Sequence, residues 1–180
     1  MKRKLLYKTI LLGLFLSITV SCEEDEISIP KENNIKIIGE WLMESYNYSG
    51  KTTTSVEGNN YVIDYVGTAI NSDLVIDFKE NKDVYTKGGY TIKLKTTSLG
   101  QTKTTTHSSK DLLKDGYNGT WEVKGDSLYT VTKNGDKSVG YIETLTENVL
   151  KVHTIDKRTQ IIKDYKITIH TDLTIEYTKK

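Results

Sequence analysis

The amino-acid sequence predicts an all-β protein of roughly eight to eleven antiparallel strands and one short helix, arranged as an up-and-down barrel or a sandwich. Three observations predict this class. Apolar and polar residues alternate with a period of two over most of the chain after residue 35, as in strands with one buried face. Turn sequences rich in glycine and asparagine separate these runs. Helical spacing is confined to one short segment of this region, so the crossover helices of a parallel sheet are not expected.

The first 21 residues combine a basic start with a short apolar run. Positions 1–8 hold four basic and no acidic residues, and the run from Ile10 to Leu16 is too short to span a bilayer. Small residues then precede Cys22, the only cysteine of the chain. This order resembles a bacterial lipoprotein signal peptide, which implies that residues 1–21 are removed and that Cys22 carries the lipid anchor, with acyl chains such as palmitate. An internal disulfide is excluded because there is no second cysteine.

Residues 22–34 are predicted to be an acidic tether to a folded domain that spans residues 35–180. The acidic run from Glu23 to Glu26 follows the cysteine directly and stays solvated, because consecutive charges cannot pack in a core. The run also resembles the export tract of Bacteroidetes surface lipoproteins. That resemblance implies a lipid-anchored protein of the outer membrane that is exposed at the cell surface. A plain soluble spacer is the alternative.

Size and charge limit the possible partners. The chain has 180 residues, and what remains after removal of the signal is enough for one domain with its own core. Removal of the four basic residues of the signal leaves 21 basic against 24 acidic side chains. This balance argues against a nucleic-acid partner, which would require a basic surface.

The first half of the domain is predicted to be a series of strands. A strand opens at Gly39 and ends near Tyr48, where Gly50 is expected to break it. Period-two runs follow at positions 61–66, 74–79, 84–86 and 90–95. The threonine-rich segment from Thr96 to His107 is predicted to form a long exposed hairpin around Gly100.

The second half begins with the predicted helix, from Ser108 to Gly116, which has a serine cap and a terminal glycine. Strands are then predicted again, with Asn134-Gly135 as a hairpin turn. They cover positions 119–124, 127–133, 137–145, 149–155, 161–170 and 173–178.

Several stretches together resemble one protein family. Gly39-Glu40-Trp41 resembles the G-x-W mark on the first strand of lipocalins. The resemblance is closer to the lipocalin-like lipoproteins of Bacteroidetes, which have similar stretches in the same order over nearly all of residues 36–178. These stretches are 38–42, 74–78, 89–92, 119–128, 141–146 and 148–150.

The resemblance implies an antiparallel lipocalin-like barrel with an internal cavity for a small apolar or amphipathic ligand. In lipocalins a basic residue near the end of the last strand commonly covers the G-x-W tryptophan. The only arginine after Cys22 is Arg158, in a predicted turn, so Lys179 or Lys166 would have to take this position.

Catalytic and metal-binding motifs are not found in the sequence. His107, His153 and His170 have no metal-ligand spacing, and no nucleophile elbow, zinc-protease helix or P-loop motif occurs. We therefore expect neither an enzyme nor a protein with a bound metal or cofactor.

Aromatic residues are the candidate site residues. The chain has 12 tyrosines but only 2 phenylalanines, and Tyr61, Tyr65, Tyr90, Tyr141 and Tyr165 fall on faces predicted to point inward. Such tyrosines either pack in the core with their hydroxyls reaching water or line a ligand cavity. Trp41 and Trp121 each follow a Gly-x pair at the start of a strand and are predicted to be buried and structural.

Two function classes remain open. The first is a tethered barrel that binds a small apolar or amphipathic molecule, with the lipid bilayer as its second partner through Cys22. The second is a surface interaction protein with a filled barrel, which binds a protein or a glycan through its loops. A tyrosine-lined cavity favours the first class, and an exposed apolar patch on the loops favours the second.

Overall fold

The computed structural model describes residues 36–108 and 118–180, and these form a single antiparallel sheet of eleven strands. The predicted all-β antiparallel class is confirmed. The predicted helix from Ser108 to Gly116 lies outside the described residues, apart from Ser108, which ends a strand. The strands are β1 Gly39–Val56, β2 Asn59–Ile70, β3 Val75–Phe78, β4 Asp83–Lys87, β5 Thr91–Ser98, β6 Gln101–Ser108, β7 Asn118–Lys124, β8 Ser127–Thr132, β9 Lys137–Leu145, β10 Val149–Ile162 and β11 Tyr165–Lys179.

Eight strands of the described part of the chain close into a barrel, which decides between the two arrangements that the sequence left open. Their order is β1-β3-β4-β7-β8-β9-β10-β11, and β11 pairs back onto β1. This closing ladder runs from the pair Trp41–Lys179 to the pair Ser55–Lys166. Closure removes the free edges that an open sheet would have at these strands.

Three of the barrel strands are longer than the barrel wall and continue beyond it. Beyond Asn47, β1 pairs with β2 instead of β3, and β2 is followed by β5 and β6. Beyond His153, β10 no longer pairs with β9. The result is a six-stranded sheet in the order β10-β11-β1-β2-β5-β6. We call it the extension and define it as residues 47–70, 91–108 and 154–172.

Two predicted strand boundaries are wrong, and both lie in the extension. Gly50 does not end β1, because the strand runs on to Val56. Instead, the missing side chain of Gly50 makes room for the ring of Tyr65 on the neighbouring strand. The Tyr65 hydroxyl oxygen would lie 2.5 Å from a β-carbon at position 50. The last hairpin turns at Lys163, which adopts a left-handed φ of 55°, and not after His170.

An irregularity in β1 sets which of its residues point inward. The register between β1 and β11 shifts between Met43 and Ser45, as expected of a β-bulge. Trp41 and Met43 point into the barrel before the shift, whereas Tyr46 and Tyr48 point inward after it. One extra residue therefore brings two tyrosines to the inner face.

The two tryptophans lie in the buried core, with exposed fractions of 0% for Trp41 and 2% for Trp121. The Trp41 indole N–H donates to the Ile37 carbonyl at 2.7 Å, and the Lys179 ammonium lies 4.6 Å from the ring centre. Lys179, and not Lys166, is therefore the basic residue that covers the G-x-W tryptophan. The Trp121 indole N–H donates to the Lys79 carbonyl at 3.0 Å.

Helices long and apolar enough to cross a membrane are absent from the two described ranges.

Candidate functional site

The barrel encloses a cavity of about 370 Å³. Space is left because three neighbouring strands present short side chains at the wall: Thr130 on β8, Ser138 and Gly140 on β9, and Thr154 on β10. Larger side chains at these positions would fill the interior, as they do in barrels with solid cores. Most of the remaining wall is apolar and includes Met43, Leu74, Phe78, Leu128, Val152 and Leu173.

A second cavity of about 450 Å³ lies on the inner face of the extension. It shares Tyr46, Thr154 and Leu173 with the barrel cavity, so the two cavities adjoin. The second cavity is more polar, because Asp156 and Arg158 line it together with several hydroxyl groups. An apolar interior therefore leads to a polar mouth.

Four tyrosine rings follow this space from the barrel to the extension. Tyr90 stacks on Tyr46 with ring centres 5.3 Å apart, Tyr46 meets Tyr48 edge-on at 5.7 Å, and Tyr48 lies 6.0 Å from Tyr65. The Tyr65 hydroxyl shares a hydrogen bond with the Thr171 hydroxyl at 2.6 Å. Spacings and angles of this kind are favourable for aromatic pairs.

The hydroxyls of Tyr46, Tyr48 and Tyr90 stay uncharged at physiological pH. Burial, reinforced by the neighbouring Tyr90 and Tyr48, raises the pKa of Tyr46. Burial also raises the pKa of Tyr48, Tyr90 and Tyr177. These groups can therefore donate and accept hydrogen bonds without adding charge to the cavity.

The candidate tyrosines occupy three different environments. Tyr65 and Tyr90 line the adjoining cavities. Tyr61 and Tyr165 lie at the far end of the extension and are exposed. The predicted inward orientation of Tyr141 is wrong: its side chain is 53% exposed on the outer wall, because Gly140 and Ile142 occupy the inward positions of β9.

Sequence reasoning missed Tyr46 and Tyr48 as site residues. The predicted strand ended near Tyr48, so the run that continues with period two through Gly50 and Thr52 was not used. This alternation was the available signal, and the structure places Tyr46, Tyr48 and Thr52 on the cavity wall.

Metal ligands are not assembled in the part of the chain described here, where no three histidine, cysteine or acidic residues are placed so that they could hold a metal ion. His153 lies between Glu143 and Asp172 on the outer wall, with its Nε2 atom 3.1 Å from the nearer Asp172 oxygen.

Comparison with known proteins agrees with this architecture. The family model described as a lipocalin-like domain matches residues 37–152, which is more than half of the chain and most of the barrel. No curated protein and no solved structure matches the sequence. The chain belongs to the family of lipocalin-like domains.

Proposed function

We propose that this protein is an exported, lipid-anchored binding protein whose barrel holds a small apolar or amphipathic molecule. The observation that carries the proposal is the cavity of about 370 Å³ inside the barrel. Its volume falls in the range of pockets that take small molecules, and its wall combines apolar side chains with a few hydroxyl groups, as such pockets do.

We further propose that the anchor is acylated Cys22, in the outer membrane of a cell of the Bacteroidetes type. Support comes from the basic and apolar order of residues 1–21 and from the acidic run that follows the cysteine. The tether of residues 22–34 would lead toward the end of the barrel where β1 begins at Gly39. The extension, formed by the other end of β1, would then face away from the bilayer.

We propose binding rather than catalysis as the activity. The cavity wall supplies apolar surface and neutral hydroxyls, which hold and orient a ligand but include no activated nucleophile paired with a base.

The binding proposal is tested by filling the cavity. Thr154 lines both parts of the space, so Thr154→Trp should abolish binding of the neutral apolar dye N-phenyl-1-naphthylamine, whose fluorescence rises in an apolar site. The matched control is Ile155→Trp, since Ile155 is the next residue of β10 and is exposed on the outer face. Equal dye binding by both variants and the wild type would contradict a ligand site in the cavity.

A second candidate function, contact with a protein or a glycan through the loops, is favoured by one observation. Leu99, at the turn between β5 and β6, is 88% exposed and has a left-handed φ of 50°. A branched apolar residue is unfavourable in both respects, since such turns prefer asparagine or glycine. A residue that destabilises the fold in this way indicates a role in binding rather than in folding.

Leu99→Asn separates the cost of Leu99 to the fold from its use in binding a partner. We expect the variant to unfold at the same temperature as the wild type or a few degrees higher, because asparagine tolerates this backbone conformation. If the loops bind a partner, photo-crosslinking on intact cells should lose a product in Leu99→Asn that Thr154→Trp retains. Identical crosslinking patterns in all three proteins would argue against the second candidate.

A further inference from the structure

We infer that Asp156, Arg158, Tyr48 and Tyr65 form a head-group site for an amphiphile whose head is uncharged and rich in hydroxyl groups. The inference rests on the proposed function, because it assigns the ligand class of the same adjoining cavities. The apolar tail would occupy the barrel, and the head would lie at the polar mouth on the extension.

The first argument is the change of polarity from one cavity to the adjoining one. The barrel part is mostly apolar, whereas the mouth is lined by three tyrosines, three threonines and an ion pair. Tyr46, Thr154 and Leu173 line both parts, which are therefore adjacent. A ligand that matches this gradient has an apolar and a polar end.

The second argument is the placement of charge on the extension. Residues paired directly across antiparallel strands share a face, so the registers define the inner face of all six strands. In the described strands of the extension, charged side chains reach that face only at Asp156, Arg158 and Lys103. Lys103 lies on the edge strand β6, and the other two line the mouth.

The third argument is that the charges at the mouth cancel. The Arg158 Nε atom lies 3.2 Å from an Asp156 carboxylate oxygen, so the two charges offset each other. A ligand carrying one net charge would gain from one member of the pair and be repelled by the other. A head with many hydroxyls can instead donate to the carboxylate and accept from the guanidinium at the same time.

The fourth argument is the placement of two tyrosine rings. A β-carbon at Gly67 would lie 2.1 Å from a Tyr48 ring carbon, and one at Gly50 would lie 2.6 Å from a Tyr65 ring carbon. Both rings therefore lie over a glycine of the neighbouring strand, and both line the mouth. Flat aromatic faces pack well against the C–H faces of a sugar ring, while the hydroxyls of that ring reach the polar groups beside them.

Calorimetric titration with dodecyl compounds that differ only in their heads tests the inference. Dodecyl maltoside, dodecanoate and dodecyltrimethylammonium are each used below the concentration at which micelles form, and maltose controls for the head alone. We expect dodecyl maltoside to bind at least tenfold more tightly than either charged compound. The double variant Asp156→Asn/Arg158→Gln should lose about tenfold in that affinity.

The matched control is Lys51→Gln/Asp64→Asn, which removes an ion pair of 3.8 Å on the outer face of the same sheet and should change no affinity. Equal binding of the three dodecyl compounds, or an unchanged affinity of the Asp156/Arg158 variant, would overturn the head-group site while the cavity proposal stands. If the wild-type protein does not bind the dye either, the proposed function itself is overturned.

Discussion

Trp41→Ala is expected to lower the free energy of unfolding by about 3–5 kcal/mol, as for other large buried aromatic residues. Three interactions are lost together: the fully buried ring, the indole hydrogen bond to the Ile37 carbonyl, and the contact with the Lys179 ammonium. Burial without a nearby carboxylate already lowers the pKa of Lys179, so an empty site beneath it would leave this charge poorly accommodated. A loss of this size is a large part of the stability of a typical domain.

Trp121→Ala should have an effect of similar size, because Trp121 packs edge-on against Phe78 at 5.5 Å and has Lys82 4.0 Å above its ring. The stability of both variants is measured by thermal and denaturant unfolding. Trp41→Phe and Trp121→Phe are measured in their place if the alanine variants do not fold. The control is Tyr141→Ala, an exposed aromatic residue of the outer wall, which should cost less than about 1 kcal/mol. A tryptophan variant that melts within a degree of the wild type would contradict a structural role at that position.

Cys22→Ser is expected to abolish acylation of the protein. In the proposed anchor the acyl chains are attached through Cys22, the only cysteine of the chain, and stable anchoring takes more than one acyl chain at ~0.8 kcal/mol for each buried methylene. We expect the variant to remain an uncleaved precursor without label after growth with an alkynyl palmitate.

Ser21→Ala is the control for this experiment, because it keeps a small residue before the cysteine and leaves the thiol in place. It should be processed and labelled as the wild type is. Equal labelling of the wild type and Cys22→Ser would show that the anchor does not depend on this residue.

Period-two alternation predicted the strands well because each strand of a barrel has one wet and one buried face. The run Leu74, Ile76 and Phe78 is an example, and all three residues line the cavity. The prediction could not distinguish a barrel from a sandwich, since both require the same alternation. Closure depends on the long-range ladder between β1 and β11, which no local pattern encodes.

Strand ends in the extension were the least predictable part of the fold. A glycine within a polar segment normally indicates a turn, but Gly50 and Gly67 each lie opposite a tyrosine of the adjacent strand. Their role is visible only when the partner strand is known. The turn at Lys163-Asp164 was missed for a related reason, because Thr171-Asp172 has a similar turn composition and lies in the middle of β11.

The sequence offered a tyrosine-lined cavity as one alternative, but it identified only some of the residues that line the cavity. The excess of tyrosine allowed either core packing or a cavity lining, and the structure places Tyr65 and Tyr90 on the cavity walls. Tyr46 and Tyr48 were missed because the predicted strand ended near Tyr48, and their inward phase depends on the bulge before Ser45. The predicted inward face of β9 was wrong by one residue, which placed Tyr141 on the inside. The smaller residues that do point inward from β9 were given no role, although they leave the space for the cavity.

Native mass spectrometry of the protein purified from its own cells, under conditions that retain bound molecules, tests the central claim that the cavity holds a small molecule. The account predicts that wild-type protein and Ile155→Trp carry one additional small mass that dissociates on activation in the gas phase, whereas a folded Thr154→Trp variant lacks it. The same additional mass on Thr154→Trp, or none on a wild-type protein that also fails to bind added dye, would contradict the claim.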